Sequence, residues 1–291
     1  MSDTAGSRTA ALMAVLDLEE RELDLFVGLT PSTSLQRIFG GQVAGQALMA
    51  AGRTAPAERA VHSMHAYFLR PGDPHEEIRY AVERMRDGRS FTTRRGVAWQ
   101  RRKGEDVAIF ALTADFHAGE EPTAHHALPM PDVPSPSELP GIDDMAAKYP
   151  ELAEGMKAMG LAVEQRFLED PFFPPPKSPP HTQTRTWLRV APSLPDDPAV
   201  HAAALTFVSD LTLLSAGFAR LGGGWGSFAG ASLDHAVWFH RPMRADEWFL
   251  YETDSPAATA GRALCFGQIW SADGTHVATV AQEGLIRSRG D

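Results

Sequence analysis

Two polar residues stand where the sequence is otherwise apolar: Asp210 in 'ALTFVSDLTLLSAG' and Gln282 beside the run 'VATVA'. A carboxylate in an apolar helix is costly to bury unless partners compensate it or a reaction uses its raised basicity. Such a group can act as a general base toward a water about 2.6–3.2 Å away. A primary amide accepts and donates hydrogen bonds at once, so Gln282 is suited to holding the same water. Each also has a plain structural reading: Asp210 capping a helix turn or pairing with Arg220, and Gln282 satisfying a neighbouring backbone group. Ser232, in 'ASLDH', shares strand parity with Asp234, so both are expected on one face, with Asp234 as a rival base or a supporting group. Glu283 has the parity opposite to Gln282 and is expected to face away.

Other chemistries fail on spacing. His62 and His65, and likewise His235 and His240, are separated by strand parity onto opposite faces, which leaves no ligand cluster and predicts no metal site. No G-x-S-x-G elbow is present, so a serine-nucleophile hydrolase has no local support. The glycines of 'GGGWG', Gly222 to Gly226, precede a strand and lack dinucleotide-fingerprint spacing, so they read as a loop. One cysteine, Cys265, excludes an intramolecular disulfide and a Cys-based zinc site, fits a reducing compartment and reads as structural.

The elements that position these residues occur twice. Aligning 'HSMHAYFLRPGD' with 'LDHAVWFHRPM' on Arg70-Pro71 and Arg241-Pro242 gives an offset of 171. At that offset Tyr67 falls on Trp238, Phe68 on Phe239, Gly96 on Gly267 and Trp99 on Trp270. Beyond one lost residue, an offset of 170 matches Gly104 to Gly274, Val107-Ala108 to Val277-Ala278 and Ala111 to Ala281. A repeat this long is a whole domain. Each copy carries an apolar helical segment, Gln42–Ala55 and Ala202–Leu221, then runs rich in Val, Phe, Trp and Tyr. Turn signals at Pro71-Gly72, Asp87-Gly88, Lys103-Gly104 and Asp273-Gly274 make those runs antiparallel strands. A helix apolar on most faces must be surrounded, and a curved antiparallel sheet wrapped about it does that. Between the copies a Pro-rich stretch around a helical segment near Met145 to Gly160 is expected to pack on the outside without a third core. The organisation predicted is an N-terminal module over 1–124, a connector over 125–181 and a C-terminal module over 182–291.

The 291 residues, 43% hydrophobic, suffice for one large domain or two ordinary ones. A formal net charge of −10 argues against general affinity for nucleic acid or anionic membranes. An anionic partner therefore needs a local patch, for which Arg84, Arg86, Arg89, Arg94, Arg95, Arg101, Arg102 and Lys103 are candidates, against the alternative of a solvated strand face. The N-terminus has neither a signal-peptide pattern nor an apolar run of about 20 residues, and a cytoplasmic location is expected.

The phrases 'FGGQVAGQAL', 'HSMHAYFLRPGD', 'RDGRSFTTRR' and 'LDHAVWFHRP', spread over Leu16 to Arg287, resemble the acyl-CoA thioesterase II family. The resemblance implies a tandem (double) hot-dog, an α+β fold of two antiparallel sheets each wrapped around a central helix, and hydrolysis of acyl-CoA to free acid and CoA without a cofactor. It implies Asp210, Ser232 and Gln282 as the groups that hold and activate water. The hydroxyl position is more often threonine in the family; Ser232 keeps the hydrogen bond but loosens the side chain. A tetrahedral intermediate needs donors for its oxyanion, and Gly41 and Gln42 at the first helix start are candidates. His65 is a candidate for lining the first module's vestigial site, and Trp225, Phe228 and Leu213 for an acyl tunnel. Pairing of exposed sheets would make a homo-oligomer. Two other readings are a hydratase or dehydratase built on Asp234 and His235, which adjacent strand positions turn apart, and a non-catalytic acyl-CoA or acyl-carrier-protein binding module.

Overall fold

The computed structural model describes residues 3–30, 36–120, 125, 128–150, 163–170, 183–190, 193–224 and 227–289. In chain order the elements are α1 (Asp3–Leu16), β1 (Glu19–Glu22), β2 (Leu25–Gly28), α2 (Gly40–Arg53), β3 (Ala60–Phe68), β4 (Ile78–Asp87), β5 (Phe91–Arg102) and β6 (Glu105–His117). They continue with α3 (Ile142–Lys148), β7 (Val163–Phe167), β8 (Gln183–Val190), α4 (Pro198–Thr212), α5 (Ser215–Arg220), β9 (Phe228–Ser232), β10 (Asp234–Phe239), β11 (Phe249–Thr259), β12 (Arg262–Ser271) and β13 (His276–Ser288). All strand pairings are antiparallel.

Where the sequence predicts two separate sheets, the described strands form a single 13-stranded one, because β3 and β10 pair with each other in the order β1-β2-β4-β5-β6-β3-β10-β13-β12-β11-β8-β7, with β9 on β13. In that seam His65 lies opposite Ala236. These two are also equivalent positions of the 171-residue repeat, so the halves join symmetrically about that pair. Opposite the seam strands, Val61 faces Phe116 while Ser232 faces Gly284, and His65 faces Thr113 while Ala236 faces Ala281. The offset along the last strand is therefore 168, from Phe116 to Gly284, and the alignment at 170 is corrected. The second hairpin loop is shorter than the matching glycines suggest, and a shift of two residues leaves every side chain on its expected face.

α2 and α4 lie antiparallel beneath the sheet in one core that includes Ala44, Ala47, Leu48, Ala203, Ala204, Phe207 and Val208. Glycine sets their approach: a Cβ on Gly41 would collide with the carbonyl oxygen of Phe207, and one on Gly45 would come to 3.0 Å from that of Ala203. α4 starts where its sequence says it must. Asp197 caps it by accepting from the Ala199 N–H at 2.9 Å, and Pro198 occupies the first turn, where its missing N–H costs nothing. The predicted Ala202–Leu221 helix is interrupted at Leu213–Leu214, where Ala216 and Gly217 bond three residues back instead of four and α5 turns onto the sheet. The stretch from Pro198 to Arg220 is apolar and long enough to cross a membrane, yet it is mostly buried in this core.

The connector, expected to pack on the outside, is divided: its β7 pairs with β8 as an edge strand of the sheet, because its residues can extend the ladder, and only the described residues before it pack against the sheet from outside. Trp187 and Trp270 donate from their indoles to the carbonyls of Pro134 at 3.0 Å and Leu128 at 3.3 Å, and with Leu250 they form a small second cluster against Met130, Val133 and Leu139. Of the helix expected near Met145 to Gly160, α3 holds the first part, and residues 151–162 lie outside the described residues.

The helix contact yields a paired test by thermal unfolding. Gly41→Ala is expected to destabilise by about 1–3 kcal/mol, because a backbone carbonyl blocks the added carbon. Gly52→Ala meets only Phe116 at 3.9 Å and is expected to stabilise by about 0.5–1 kcal/mol through helix propensity. Equal midpoints for the two variants would sink the close-approach argument.

Candidate active site

Asp210 is near the end of α4, in its buried stretch, 8% exposed. Ser232, the last residue of β9, donates from its hydroxyl to Asp210 Oδ1 at 2.8 Å. Gln282, fully buried in β13, donates from Nε2 to Ser232 Oγ at 2.9 Å. The three residues picked from the sequence thus meet in one hydrogen-bonded row. Arg220 does not pair with Asp210; it binds Asp254 at 2.8 Å. Among the described residues Asp210 forms no ion pair with a Lys or Arg.

A second helix supplies further compensation. α2 begins after Phe39, which offers no side-chain cap, so its first N–H groups need an acceptor from elsewhere. The Asp210 carboxylate lies at that helix start, and the Gly41 N–H is among the groups that favour its charged form. A carboxylate at a helix start is favoured by the unpaired N–H groups and by the positive end of the dipole. Space for it depends on Gly40, whose added Cβ would stand 2.7 Å from Asp210 Oδ2. Burial nevertheless dominates and raises the Asp210 pKa, against the opposing pull of His235, Ser232, Gln282 and Gly41.

A bulge arranges the strand residues. Leu233 separates β9 from β10; Ser232 lies opposite Gly284 while Ala236 lies opposite Ala281, so one extra residue is inserted between them. The Leu233 N–H bonds the Glu283 carbonyl at 2.9 Å, and the Glu283 N–H donates to Asp234 Oδ1 at 2.7 Å. Expected parity is therefore reversed past Ser232. Asp234 is corrected from a rival base to a backbone acceptor at the bulge, while Ser232 and His235 share the inner face. Asp234 and His235, consecutive in β10, point to opposite faces as their adjacency predicts, so they do not form a hydratase-type pair.

His235 is the residue that sequence reasoning missed. It is fully buried, with Nδ1 2.5 Å from Gln282 Oε1 and Nε2 2.8 Å from Ser209 Oγ. Burial lowers its pKa, with the Asp210 carboxylate pulling the other way, which favours the neutral ring. Gln282 Oε1 can only accept, which places the single ring proton on Nδ1 and leaves Nε2 an acceptor facing Ser209 Oγ, whose hydroxyl also reaches the Thr206 carbonyl at 3.0 Å. Apolar neighbours on alternate positions of 'LDHAVWF' were the available signal, and strand parity counted through the bulge hid it.

The remaining predicted residues separate from this row. Gly41 and Gln42 are not free oxyanion donors: the Gly41 N–H faces Asp210 and the Gln42 N–H bonds the Phe39 carbonyl at 3.1 Å. The Gln42 side chain reaches Thr30 Oγ1 at 3.2 Å instead. His65 is corrected as a lining residue, since it is exposed on the outer face with its ring 5.1 Å from that of Trp238. In the basic cluster Arg84, Arg94, Arg95 and Arg101 pair with Asp24, Asp87, Glu83 and Asp106, which weakens it as a phosphate patch. Leu213 is fully buried core and Phe228 stacks on Phe218 at 5.6 Å; Trp225 lies outside the described residues. Cys265 is a buried free thiol pushed up to about 11 by burial, which suits packing and not nucleophilic attack. No group of three or more His, Cys, Asp or Glu side chains among the described residues is placed to hold a metal.

Comparison with known proteins identifies the family. Residues 29–117 match the model of the acyl-CoA thioesterase N-terminal domain, and residues 130–286 that of the acyl-CoA thioesterase C-terminal domain. Human acyl-coenzyme A thioesterase 8 is 36% identical over 96% of this chain and 90% of its own length. The crystal structure of an acyl-CoA thioesterase II, TesB2, from Mycobacterium marinum superposes with a TM-score of 0.76 at 40% identity, covering 96% of this chain and 97% of that one. A hot-dog-fold protein of unknown function from Alicyclobacillus acidocaldarius matches at 20% identity with a TM-score of 0.76, covering 95% and 98%, and speaks for the fold alone. Matches to both domain models and identities of this size over nearly the whole length place the chain in the acyl-CoA thioesterase family.

Proposed function

We propose that this chain hydrolyses acyl-CoA thioesters with water activated by Asp210. The observation that carries the reading is a buried carboxylate without a Lys or Arg partner among the described residues, held by Ser232 and in turn by Gln282. As water attacks the thioester carbonyl, Asp210 takes one of its protons and the new C–O bond forms. Collapse of the tetrahedral intermediate breaks the C–S bond, and the same proton leaves Asp210 for the departing sulfur. The products are a carboxylic acid and the free thiol of CoA. Ser232 orients the carboxylate, and the amide of Gln282 orients the hydroxyl and the water. A water molecule needs no covalent nucleophile beside it, which accords with an inert Cys265.

The finer architecture belongs to the same proposal. We read the halves as hot-dog modules fused in tandem, a double hot-dog over 1–124 and 182–291 with the connector at 125–181, and the ladders equivalent about His65 and Ala236 support it. Acyl-CoA is then the expected partner.

Thiol release from a series of saturated acyl-CoAs tests the chemistry. Asp210→Asn is expected to lower kcat by about 10²–10⁴-fold, the usual contribution of a general base. Retention of more than a tenth of the activity would rule Asp210 out as the base. Asp210 must be ionised to accept a proton, and burial raises its pKa, so kcat/KM is expected to fall on acidification at a pH above the usual carboxylate range. An acid limb at ordinary carboxylate values would contradict a buried base. At residue 232 the hydroxyl is what counts: Ser232→Thr is expected to keep activity within about threefold, whereas Ser232→Ala loses about 10-fold or more. Equal activities of the two variants would remove Ser232 from the mechanism.

A further inference from the structure

The first half shows what this fold requires at the positions that carry the chemistry in the second. Along the repeat, Val61 corresponds to Ser232 and Met64 to His235, and Ala114, opposite Met64 on β6, corresponds to Gln282. A bulge occurs in both halves at the equivalent point, between Val61 and Ser63 in β3 and around Leu233 in the second copy. The shared frame is therefore satisfied by apolar side chains. A fully buried imidazole at residue 235 is not demanded by packing, and burying its polar ring is unfavourable unless both nitrogens are bonded.

Both nitrogens are bonded, and the bonds have a direction. Nδ1–H faces Gln282 Oε1, Gln282 Nε2–H faces Ser232 Oγ, and Ser232 O–H faces Asp210 Oδ1, while Nε2 lies 2.8 Å from Ser209 Oγ, whose hydroxyl has the Thr206 carbonyl at 3.0 Å as a second acceptor. Tyr251 completes the outer end by donating to the Ser209 carbonyl at 3.0 Å. The vulnerable member is the amide of Gln282, because its two ends differ chemically but hardly in shape. If it turned over, Oε1 would face Ser232 and compete with Asp210 for the hydroxyl proton. With His235 in place, that flip would set an N–H₂ group against Nδ1–H, two donors facing each other in a dry interior.

We propose that His235 is a positioning residue for hydrolysis: by donating from Nδ1 to Gln282 Oε1 it holds the amide with Nε2 toward Ser232 and the attacking water. The inference rests on the water-activating role of Asp210. It adds a residue that touches neither substrate nor water and acts only through Gln282.

The test uses the full chain and thiol release from acyl-CoA, with far-ultraviolet circular dichroism and thermal unfolding as checks on folding. His235→Met installs the side chain found at the equivalent position, Met64, and is expected to fold while kcat falls about 10- to 100-fold, as a misoriented catalytic group would cause. KM is expected to stay within about twofold, since substrate contacts are not altered. His235→Asn puts an amide N–H near the place of Nδ1–H and is expected to recover most of that loss. In a Gln282→Ala background, His235→Met is expected to cost no further activity. Wild-type kcat in His235→Met, failure of His235→Asn to exceed His235→Met, or additive losses with Gln282→Ala would each overturn the proposal. Should His235→Met not fold, His235→Leu, likewise apolar and without a donor, takes its place in the same comparisons with His235→Asn and in the Gln282→Ala background. If Asp210→Asn abolishes hydrolysis while His235→Met does not lower it, only this inference fails; if Asp210→Asn is active, the reading beneath it fails.

Discussion

The whole arrangement depends on keeping one carboxylate, that of Asp210, inside an apolar helix pair. An unpaired buried charge is among the costliest features a fold can carry, and a Lys or Arg beside it would lower the cost while also lowering its basicity. Dipoles are the compromise used here. Ser232 and the Gly41 N–H stabilise the charged form, yet burial still prevails and the carboxyl remains more basic than a solvated one. That choice propagates outward. α2 must start without a side-chain cap of its own, Gly40 must leave room for Asp210, and Gly41 must let α2 approach the backbone of Phe207.

The duplicated frame shows how a site arises by substitution without a change of backbone. Strands, bulge and seam are common to both halves, and so are Tyr80 and Tyr251, buried tyrosines at equivalent positions. Tyr80 donates to Gln46 Oε1 at 2.7 Å, and Tyr251 to a main-chain carbonyl. What differs is the trio Val61, Met64 and Ala114 against Ser232, His235 and Gln282. Apolar groups settle the first set by packing alone. The polar set has to be satisfied as a unit, because each member left without its neighbour is a buried donor or acceptor with no partner.

Much of this could be read from residues alone, and the limits have physical causes. The repeat, the apolar helices and the anomaly of Asp210 and Gln282 were visible because periodicity and burial leave marks in residue type. The faces of Asp234 and His235 were not, since a bulge changes parity without a compositional signal and a single inserted residue moves every later side chain across the sheet. Continuity of the sheet through β3 and β10 was hidden for a related reason: seam strands and edge strands read alike. The basic cluster misled because charge patterning does not reveal which acidic side chains lie across the hairpin, and Asp24 is 60 residues away from Arg84 in the chain. Spacing around the turn glycines likewise misjudged the last strand, where loop length and not glycine position sets the register.

Neither half holds the proposed site by itself. Asp210, Ser232 and Gln282 come from the second half, but the N–H group and helix end that make the carboxylate tolerable come from α2 in the first. The direction of the hydrogen bonds sharpens the point. From His235 through Gln282 and Ser232 the protons are offered toward Asp210, and the Gly41 N–H favours the same charge. A carboxylate met by a donor that is itself held in place is kept in one orientation, and in the proposed mechanism such a base does not have to reorganise as it takes a proton. In the proposed mechanism the apolar first half thus has a part through the start of a helix, which requires no reactive side chain and is written in the sequence only as two adjacent glycines.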